Sequence, residues 1–258
     1  DDLFALPPLP RLAGQLLVAM AVWSQGVQIG TIELPLHWLG GPTGVIALPD
    51  GLSLLATVIW LVGITNAINW LDGLDGLAAG VSGIAAVGLL SVSYSLNQPA
   101  PGLLAAALAG SCLGFLRHNF NPARIFMGDG GSYFLGFALA AVSIVGPAKE
   151  LTSVSLLLPL VILSLPLADM SAVILGRLRQ GRSPFYPDRR HLHHRLLRQG
   201  LSHRRTVLLI YAFTQWLAAL ALVMVNAEFR FLWLALATAV LIGLVVTTRR
   251  KLQRDETP

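Results

Sequence analysis

Two amides and two carboxylates stand close together in the stretch Asn66-Ala-Ile-Asn69-Trp-Leu-Asp72-Gly-Leu-Asp75-Gly. They lie between two long runs without any charge, where an ionised side chain is costly to place and therefore indicates a functional site. Amide and carboxylate oxygens suit a hard divalent cation, Mg²⁺ or Mn²⁺, better than zinc. The alternative is an Asp-Gly turn in which the aspartates only cap helix ends.

A second acidic loop, Phe126-Met-Gly-Asp129-Gly-Gly-Ser132, precedes another apolar run. Its glycines let a ligand approach the backbone closely, and the free N–H groups at the start of a helix favour phosphate. No Gly-Lys-Ser/Thr follows, so the loop is not a P-loop. Asp129 is instead placed to hold a metal ion at the phosphate, as phosphoryl transfer commonly requires. A second carboxylate loop favours the metal interpretation of the first stretch over a simple turn.

Three histidines within four positions form the third polar feature, and arginines surround them. The residues are His191, His193, His194, Arg189, Arg190 and Arg195. A tetrahedral zinc site is one interpretation, but no cysteine or carboxylate completes a familiar spacing. A surface that binds pyrophosphate fits better, because guanidinium and imidazole groups both donate to phosphate oxygens. Asp169 lies deeper in an apolar run, where pairing with an arginine and a catalytic role are both compatible with the sequence.

The elements that position these residues are apolar blocks long enough to cross a bilayer. The chain is 55% hydrophobic and only 12% charged, and a spanning helix needs about 20 mostly apolar residues. We expect an all-α, polytopic membrane helix bundle that forms a single domain over residues 1–258, with two short strands in the loop 30–50. The predicted transmembrane helices number eight, near 11–29, 51–69, 76–96, 102–118, 130–147, 151–176, 206–226 and 230–248.

The basic residues are distributed unevenly about these helices. With eight helices both chain ends lie on one side, where sixteen of the 18 Lys and Arg residues fall, and only Lys149 and Arg230 fall on the other. This asymmetry is typical of cytoplasmic loops, so both termini are predicted to be cytoplasmic. The net charge of +5 then reflects topology and not nucleic-acid binding. All the carboxylate and imidazole clusters fall on this same side, which predicts an active site at the cytoplasmic face.

Four motifs together resemble the polyprenyl-phosphate N-acetylhexosamine-1-phosphate transferase family. They are Asp1-Asp2, Asn66-xx-Asn69-xx-Asp72-Gly-x-Asp75-Gly-Leu-Ala, Asn121-Pro-Ala-xx-Phe126-Met-Gly-Asp129-x-Gly-Ser and Asp188-Arg-x-His191-x-His193-His194-Arg-Leu. They occur in the family's order and extend over the whole chain. The histidine motif is similar to the branch that uses UDP-N-acetylglucosamine in cell-envelope polysaccharide synthesis, including O-antigen and other lipopolysaccharide.

The resemblance implies a Mg²⁺-dependent enzyme in the bacterial plasma membrane. UDP-GlcNAc and undecaprenyl phosphate would give undecaprenyl-pyrophosphoryl-GlcNAc and UMP. The family's pattern assigns Asn69 and Asp129 to the metal, with Mn²⁺ as the alternative ion. Phe126 would stack on uracil, and Asn66, Asp72 and Asp75 would shape the nucleotide-sugar pocket. The diphosphate would be held by Arg190, His191, His193 and His194, while Asp1 or Asp2 would orient or deprotonate the acceptor phosphate.

Alternatives stay open at this point. The donor could be another UDP-N-acetylhexosamine or a phospho-MurNAc-pentapeptide nucleotide, and the partners we consider include a second copy of the chain. A CDP-alcohol phosphatidyltransferase would need an arginine that Asp75-Gly-Leu-Ala-Ala lacks. An ion-coupled transporter would favour acidic residues at mid-membrane. The family carries membrane helices before its Asp-Asp pair, so we expect this chain to lack N-terminal helices, which keeps an inactive truncated subunit among the alternatives.

Overall fold

The computed structural model describes residues 7–34, 44–146, 156–183 and 190–255. Within these ranges the chain is almost entirely helical, with one small hairpin. The elements are α1 Pro8–Ser24, β1 Thr31–Leu34, β2 Gly44–Ala47, α2 Asp50–Leu71, α3 Leu77–Ser95, α4 Pro99–Asn119, α5 Gly128–Val145, α6 Leu157–Ile162, α7 Ser164–Leu178, α8 Leu192–Arg198, α9 His203–Met224 and α10 Arg230–Asp255. Asp1 and Asp2 lie outside the described residues.

Six helices of the described part are long and apolar enough to cross a membrane, namely α2, α3, α4, α5, α9 and the Arg230–Arg249 part of α10. The prediction of a polytopic all-α membrane protein is therefore confirmed. Both predicted strands also form, and they pair antiparallel with Ile32 opposite Ile46. The count of eight spans is not reproduced, because α1 has only 17 residues and the span predicted over 151–176 is interrupted.

The interruption lies at Leu163, where α6 ends and α7 begins. Proline has no N–H to donate, and its ring clashes with the carbonyl four residues earlier. Pro166 therefore cannot continue a helix through Ile162. It is tolerated in the first turn of α7, where a backbone N–H has no helical partner in any case.

Helix α3 is the centre of the bundle, since 72% of its apolar window is buried, against 6% for α10. Its small side chains allow neighbouring helices to approach closely. A Cβ at Gly83 would lie 3.1 Å from Cβ of Cys112 on α4, and a Cβ at Gly88 would lie 3.1 Å from Cβ of Ala218 on α9. The ring of Tyr211 from α9 also occupies the space that a side chain at Gly80 would need.

Two contacts between helices determine where the polar residues meet. A Cβ at Gly136 would lie 2.7 Å from Cα of Thr65, so α5 packs almost backbone to backbone against α2. Beneath the polar loops, a buried apolar cluster joins α2, α3, α7 and α9; it comprises Leu71, Leu77, Val81, Leu165, Val207, Ile210 and Leu217. This cluster supports the end of the bundle at which α2 ends and α3 begins, which we call the site end.

Candidate active site

The predicted site residues of the described part come from separate elements that meet at the site end. Asn69 is in the last turn of α2, Asp129 is in the first turn of α5, and His191 immediately precedes α8. Direct contacts connect the acidic stretch to both other motifs, through Asn69 to Asp129 and through Gly73 to His193. The sequence prediction that these three motifs share one site therefore agrees with the packing of the helices.

Asn69 and Asp129, the predicted metal ligands, are hydrogen-bonded to each other. The Asn69 amide nitrogen lies 2.9 Å from Oδ1 of Asp129 and 2.9 Å from Oγ of Ser132. Oδ2 of Asp129 lies 2.9 Å from Nη1 of Arg11, which is in the first turn of α1. One carboxylate thus connects three helices and leaves an amide and a carboxylate side by side.

The carboxyl group of Asp72 lies in an unfavourable electrostatic environment. Burial raises its pKa to about 6, and the nearby negative charges of Asp129 and Asp75 add to that shift. Positive charge delivered to this point would relieve the repulsion between the carboxylates. A cation at this point would therefore be favoured by the charges of the three carboxylates.

The residues present fit a hard divalent cation. Mg²⁺ is usually held by one or two carboxylates together with substrate phosphates and water, and Asn69, Asp72 and Asp129 offer that kind of oxygen donor. Within the described ranges no three His, Cys, Asp or Glu side chains come together as a complete metal cage. A cation at this place would accordingly draw part of its coordination from the substrate.

Asp75, which the family's pattern assigns to the nucleotide-sugar pocket, makes contacts within the protein. Its Oδ2 accepts hydrogen bonds from the Asn121 amide at 3.0 Å and from the Ala123 backbone N–H at 3.1 Å. Burial would raise its pKa, but these two hydrogen bonds and nearby His203 outweigh burial and lower it. Asp75 is thus an ionised group that holds the α4–α5 loop against the turn before α3.

The turn before α3 is fixed by two further residues that sequence reasoning missed. The backbone N–H of Gly76, which has φ +79°, donates to Oδ1 of Asn119 at 3.0 Å, and the Asn119 amide donates to the Ile125 carbonyl at 2.9 Å. The hydroxyl of Tyr211 donates to the Gly76 carbonyl. Asn119 is two positions before Asn121, which belongs to one of the four motifs. Nothing in the sequence distinguishes Tyr211 except that it places a hydroxyl group in an apolar run.

Arg11 and Gln15 were also missed as site residues. They are one turn apart on α1, and they contact Asp129 and Asn66 respectively: the Asn66 amide donates to Oε1 of Gln15 at 2.6 Å. An arginine and a glutamine four positions apart at the start of an apolar helix form a polar face, which is a signal the sequence did contain. Asn66 therefore positions α1 as well as facing the predicted pocket.

The histidine segment, which we define as residues 191–194, packs against the end of α2. His191 and His193 are stacked, with ring centroids 5.7 Å apart, and His194 lies 4.3 Å from His193. Nδ1 of His191 lies 2.9 Å from Oδ2 of Asp169. Of the two interpretations left open for Asp169, pairing with an arginine thus gives way to a contact with histidine.

His193 differs from its neighbours because it is almost completely buried, at 1% exposure. A Cβ at Gly73 would lie 2.9 Å from Cε1 of its ring, so the imidazole lies directly against the Asp72–Gly76 turn. Burial lowers its pKa to about 4, with the charges of His194 and His191 adding to the effect. His193 is therefore neutral near pH 7 in this arrangement and serves to pack the two motifs together.

The remaining predicted substrate residues lie at the surface of the site end. The ring of Phe126 is 77% exposed, which leaves a free aromatic face for a planar ligand. Arg190 is exposed and donates to Oε1 of Gln180 at 2.9 Å. Both side chains are therefore exposed to solvent at this surface.

Comparison with known proteins shows which family of transferases the chain is similar to. Residues 1–147 match the family described as Glycosyl transferase family 4. The chain is 40% identical over 231 residues to the decaprenyl-phosphate N-acetylglucosaminephosphotransferase of Mycobacterium leprae, covering 82% of this chain and 57% of that protein. The protein of the same name from Mycolicibacterium smegmatis is 37% identical over 273 residues, covering 98% of this chain and 66% of the relative.

A third relative carries a different lipid in its name. The probable undecaprenyl-phosphate N-acetylglucosaminyl 1-phosphate transferase of Bacillus subtilis is 38% identical over 236 residues, covering 92% of this chain and 63% of that protein. The chain thus spans between 57% and 66% of the length of these three curated relatives. All three names describe transfer to a polyprenyl phosphate.

Proposed function

The chain belongs to glycosyl transferase family 4, and from this premise we propose that it transfers N-acetylglucosamine 1-phosphate from UDP-GlcNAc to undecaprenyl phosphate, releasing UMP. The observation that carries the proposal is the junction of Asn69, Asp129 and Arg11 at the site end. It brings oxygen donors for a cation and a guanidinium group to one point, and both are what a reaction between two phosphate-bearing substrates needs.

The proposed reaction is a displacement at phosphorus. An oxygen of the acceptor phosphate forms a bond to the β-phosphorus of UDP-GlcNAc, and the bond from that phosphorus to the bridging oxygen breaks. UMP leaves with the bridging oxygen and its electron pair. A phosphate monoester is mostly dianionic near pH 7 and needs little activation, so positioning and charge stabilisation supply most of the catalysis.

Charge neutralisation is the main task of the protein in this scheme. Asn69 and Asp129 would hold Mg²⁺, or Mn²⁺ as the alternative ion, and Asp72 adds negative charge beside them. When bound, the ion would neutralise the diphosphate and the departing phosphate of UMP. Arg11, which already contacts Asp129, supplies a fixed positive charge at the same place.

The substrate contacts follow from the positions of the remaining residues. Phe126 offers its exposed ring to uracil, and Asn66 and Asp72 border the sugar. Arg190, His191 and His194 face the diphosphate in this proposal, while His193 packs behind them against Gly73. Asp1 or Asp2 would orient or deprotonate the acceptor phosphate; these two residues lie outside the described part of the chain.

The proposed location of the reaction is the cytoplasmic face of a bacterial plasma membrane. The nucleotide sugar is charged and soluble, so it must reach the site from the aqueous side, while the polyprenyl phosphate is retained by the bilayer. The distribution of arginine supports a site end on the cytoplasmic side. Relatives named for decaprenyl and for undecaprenyl phosphate make acceptor length a point to measure.

A membrane assay tests the proposal. Membranes with the full-length protein receive radiolabelled UDP-GlcNAc and undecaprenyl phosphate, with Mg²⁺ or with EDTA, and lipid-linked label is extracted. We expect product only with the ion and a loss of at least about 100-fold for Asp129→Ala. Asp50→Asn, in the first turn of α2 away from the site end, is the matched control and should retain activity.

The outcomes separate the alternatives. No lipid-linked product from the full-length protein, or full activity of Asp129→Ala, would overturn the proposal. Replacing the donor with UDP-GalNAc or UDP-MurNAc-pentapeptide in the same assay identifies the sugar. Replacing the acceptor with decaprenyl phosphate identifies the preferred lipid length.

A further inference from the structure

Both oxygens of the Asp169 carboxylate are engaged with the start of the histidine segment. Oδ2 lies 2.9 Å from Nδ1 of His191, and Oδ1 accepts the backbone N–H of Leu192 at 2.7 Å. The side chains of His191 and Asp169 are only 9% and 8% exposed. One carboxylate on α7 thus contacts both a side chain and a backbone group of the segment that leads into α8.

The contact with Leu192 fixes the backbone at the start of α8 relative to Asp169. Leu192 is the first residue of α8, so its N–H is one of the donors that a helix leaves without an internal partner. A negative group at that end is also favoured by the helix dipole. Asp169 therefore anchors the backbone next to His191 independently of the imidazole. Because this backbone is fixed, the His191 ring stays within hydrogen-bond distance of the carboxylate.

The contact with Nδ1 determines the chemistry of the ring. A carboxylate accepts and cannot donate, so Nδ1 must carry the proton. The other nitrogen, Nε2, is then the one available to a ligand, as an acceptor in the neutral ring and as a donor in the protonated ring. A partner of this kind is how proteins commonly fix the tautomer and orientation of a functional imidazole.

The end of α2 borders the other side of this ring. The edge of Trp70 meets His191 with centroids 5.8 Å apart and planes at 75°, and the Arg177 guanidinium lies 4.9 Å from the centre of the Trp70 ring. Trp70 directly follows Asn69 in α2. The imidazole is thus held by α7 on one side and by the end of α2 on the other.

We propose that Asp169 is a positioning residue for the transfer reaction: it holds His191 in one orientation and leaves Nε2 as the nitrogen that donates to a substrate phosphate oxygen when the ring is protonated. This inference rests on the proposed function. Asp169 itself touches neither the substrate nor the reacting atoms, and all of its effect on catalysis passes through His191.

A double-mutant cycle measures that dependence. Asp169→Asn keeps the size of the side chain but presents an amide nitrogen to one of the two donors, and we expect kcat to fall about 10- to 100-fold, as for other residues that orient a functional histidine. His191→Gln should cost at least as much. In the His191→Gln background, Asp169→Asn should change kcat less than twofold, because the two residues act as one unit.

Controls separate orientation from folding. Asp169→Glu keeps the carboxylate and should recover part of the lost kcat, whereas a defect that only destabilises the fold would not follow the charge. The melting temperature of each detergent-purified variant reports loss of structure. Asp50→Asn again supplies a carboxylate-to-amide change away from the site end.

A spectroscopic measurement is independent of activity. The chain has six histidines, and ¹⁵N-histidine NMR spectra of the full-length protein, assigned with His191→Gln, report which ring nitrogen carries the proton. We expect the Nδ1–H form for His191 and loss of that preference in Asp169→Asn. The same tautomer in both proteins would overturn the proposal.

Failure of this inference and failure of the proposed function give different results. If the wild-type protein makes no lipid-linked product, the proposed function fails, and the NMR measurement still decides whether Asp169 orients His191. If the wild type is active but the effects of Asp169→Asn and His191→Gln multiply, Asp169 acts separately from His191 and the positioning role is wrong.

Discussion

Nη1 of Arg11 lies 2.9 Å from Oδ2 of Asp129, which joins the first turn of α1 to the first turn of α5 across 118 residues of sequence. The two side chains are 27% and 30% exposed, so the pair borders the site and is open to a ligand. Asp129 therefore meets positive charge from the protein at the place where the proposed function puts a divalent cation.

Competition between Arg11 and the divalent cation for the carboxylate of Asp129 can be measured. Arg11→Gln removes the guanidinium charge next to Asp129, and like charges a few ångströms apart repel strongly in such a site. We expect the affinity for Mn²⁺, measured by EPR in the absence of substrate, to rise several-fold. Arg124→Gln, an exposed arginine of the α4–α5 loop, is the charge-matched control. A lower affinity in Arg11→Gln would show that Arg11 organises the carboxylate instead of competing for it.

The raised pKa of Asp72 predicts opposite effects on stability and on function. A folded-state pKa of about 6 against 3.8 for the ordinary group means that the folded protein holds this proton more tightly. Stability from this group therefore falls as pH rises through that window, and the charged form is disfavoured at pH 7.5. We expect Asp72→Asn to raise the melting temperature in EDTA at pH 7.5 and to change it little at pH 4.

The same substitution should reduce transfer activity, because it removes a negative charge beside the proposed cation. The Mg²⁺ concentration for half-maximal activity should rise in Asp72→Asn at pH 7.5. In the wild type it should rise as pH falls below about 6, where Asp72 is protonated. An unchanged Mg²⁺ requirement in both comparisons would remove Asp72 from the environment of the ion.

The contact between Gly73 and His193 predicts sensitivity to a single methyl group. In Gly73→Ala the new Cβ would lie 2.9 Å from Cε1 of His193, so the histidine segment must shift away from α2. Small displacements of positioned groups can cost about 100-fold in rate, and we expect at least a tenfold loss of kcat. Gly63→Ala is the matched control, since a Cβ there meets nothing within 4 Å. Equal activities of Gly73→Ala and Gly63→Ala would mean that the histidine segment can shift without affecting catalysis.

Tyr211 predicts a structural defect that reaches the site. Tyr211→Phe removes the donor to the Gly76 carbonyl while retaining the ring that fills the space beside Gly80. The Gly76 carbonyl still accepts from the backbone N–H of Gly80 at 2.9 Å. The substitution therefore removes one hydrogen bond, worth about 0.5–1.5 kcal/mol, and the melting temperature should fall. Activity should fall with it, because the Gly76 turn carries Asp72 and Asp75. Tyr94→Phe, at an exposed tyrosine, should change neither quantity.

Much of the site could be predicted because its residue types contradict their apolar surroundings. Carboxylates and amides beside uncharged runs are conspicuous, and the alternation of the predicted helices puts Asn69 and Asp129 on the same side of the membrane. The hairpin strands were also predicted. These features depend on the residue composition of each segment and on the side of the membrane at which each loop lies. Both can be inferred from the local sequence.

The partners of individual groups could not be predicted, because they depend on packing between distant helices. Tyr211 and Gly76 are 135 positions apart, and only the small residues of α3 bring them together. The sequence allowed an arginine partner for Asp169, but the rotation of α7 presents the carboxylate to His191. The burial that keeps His193 neutral likewise follows from its place against Gly73 and not from the motif.

The interruption at Leu163 fixes the angular setting of α7. Each residue of an α-helix turns the chain by about 100°, so the direction in which α7 presents Asp169 depends on the backbone angles at this break. Pro166→Ala would remove the ring that prevents a continuous helix here, and any rotation of α7 that followed would move the carboxylate of Asp169 relative to His191. A break in an apolar segment thus bears on the orientation of a polar group at the site.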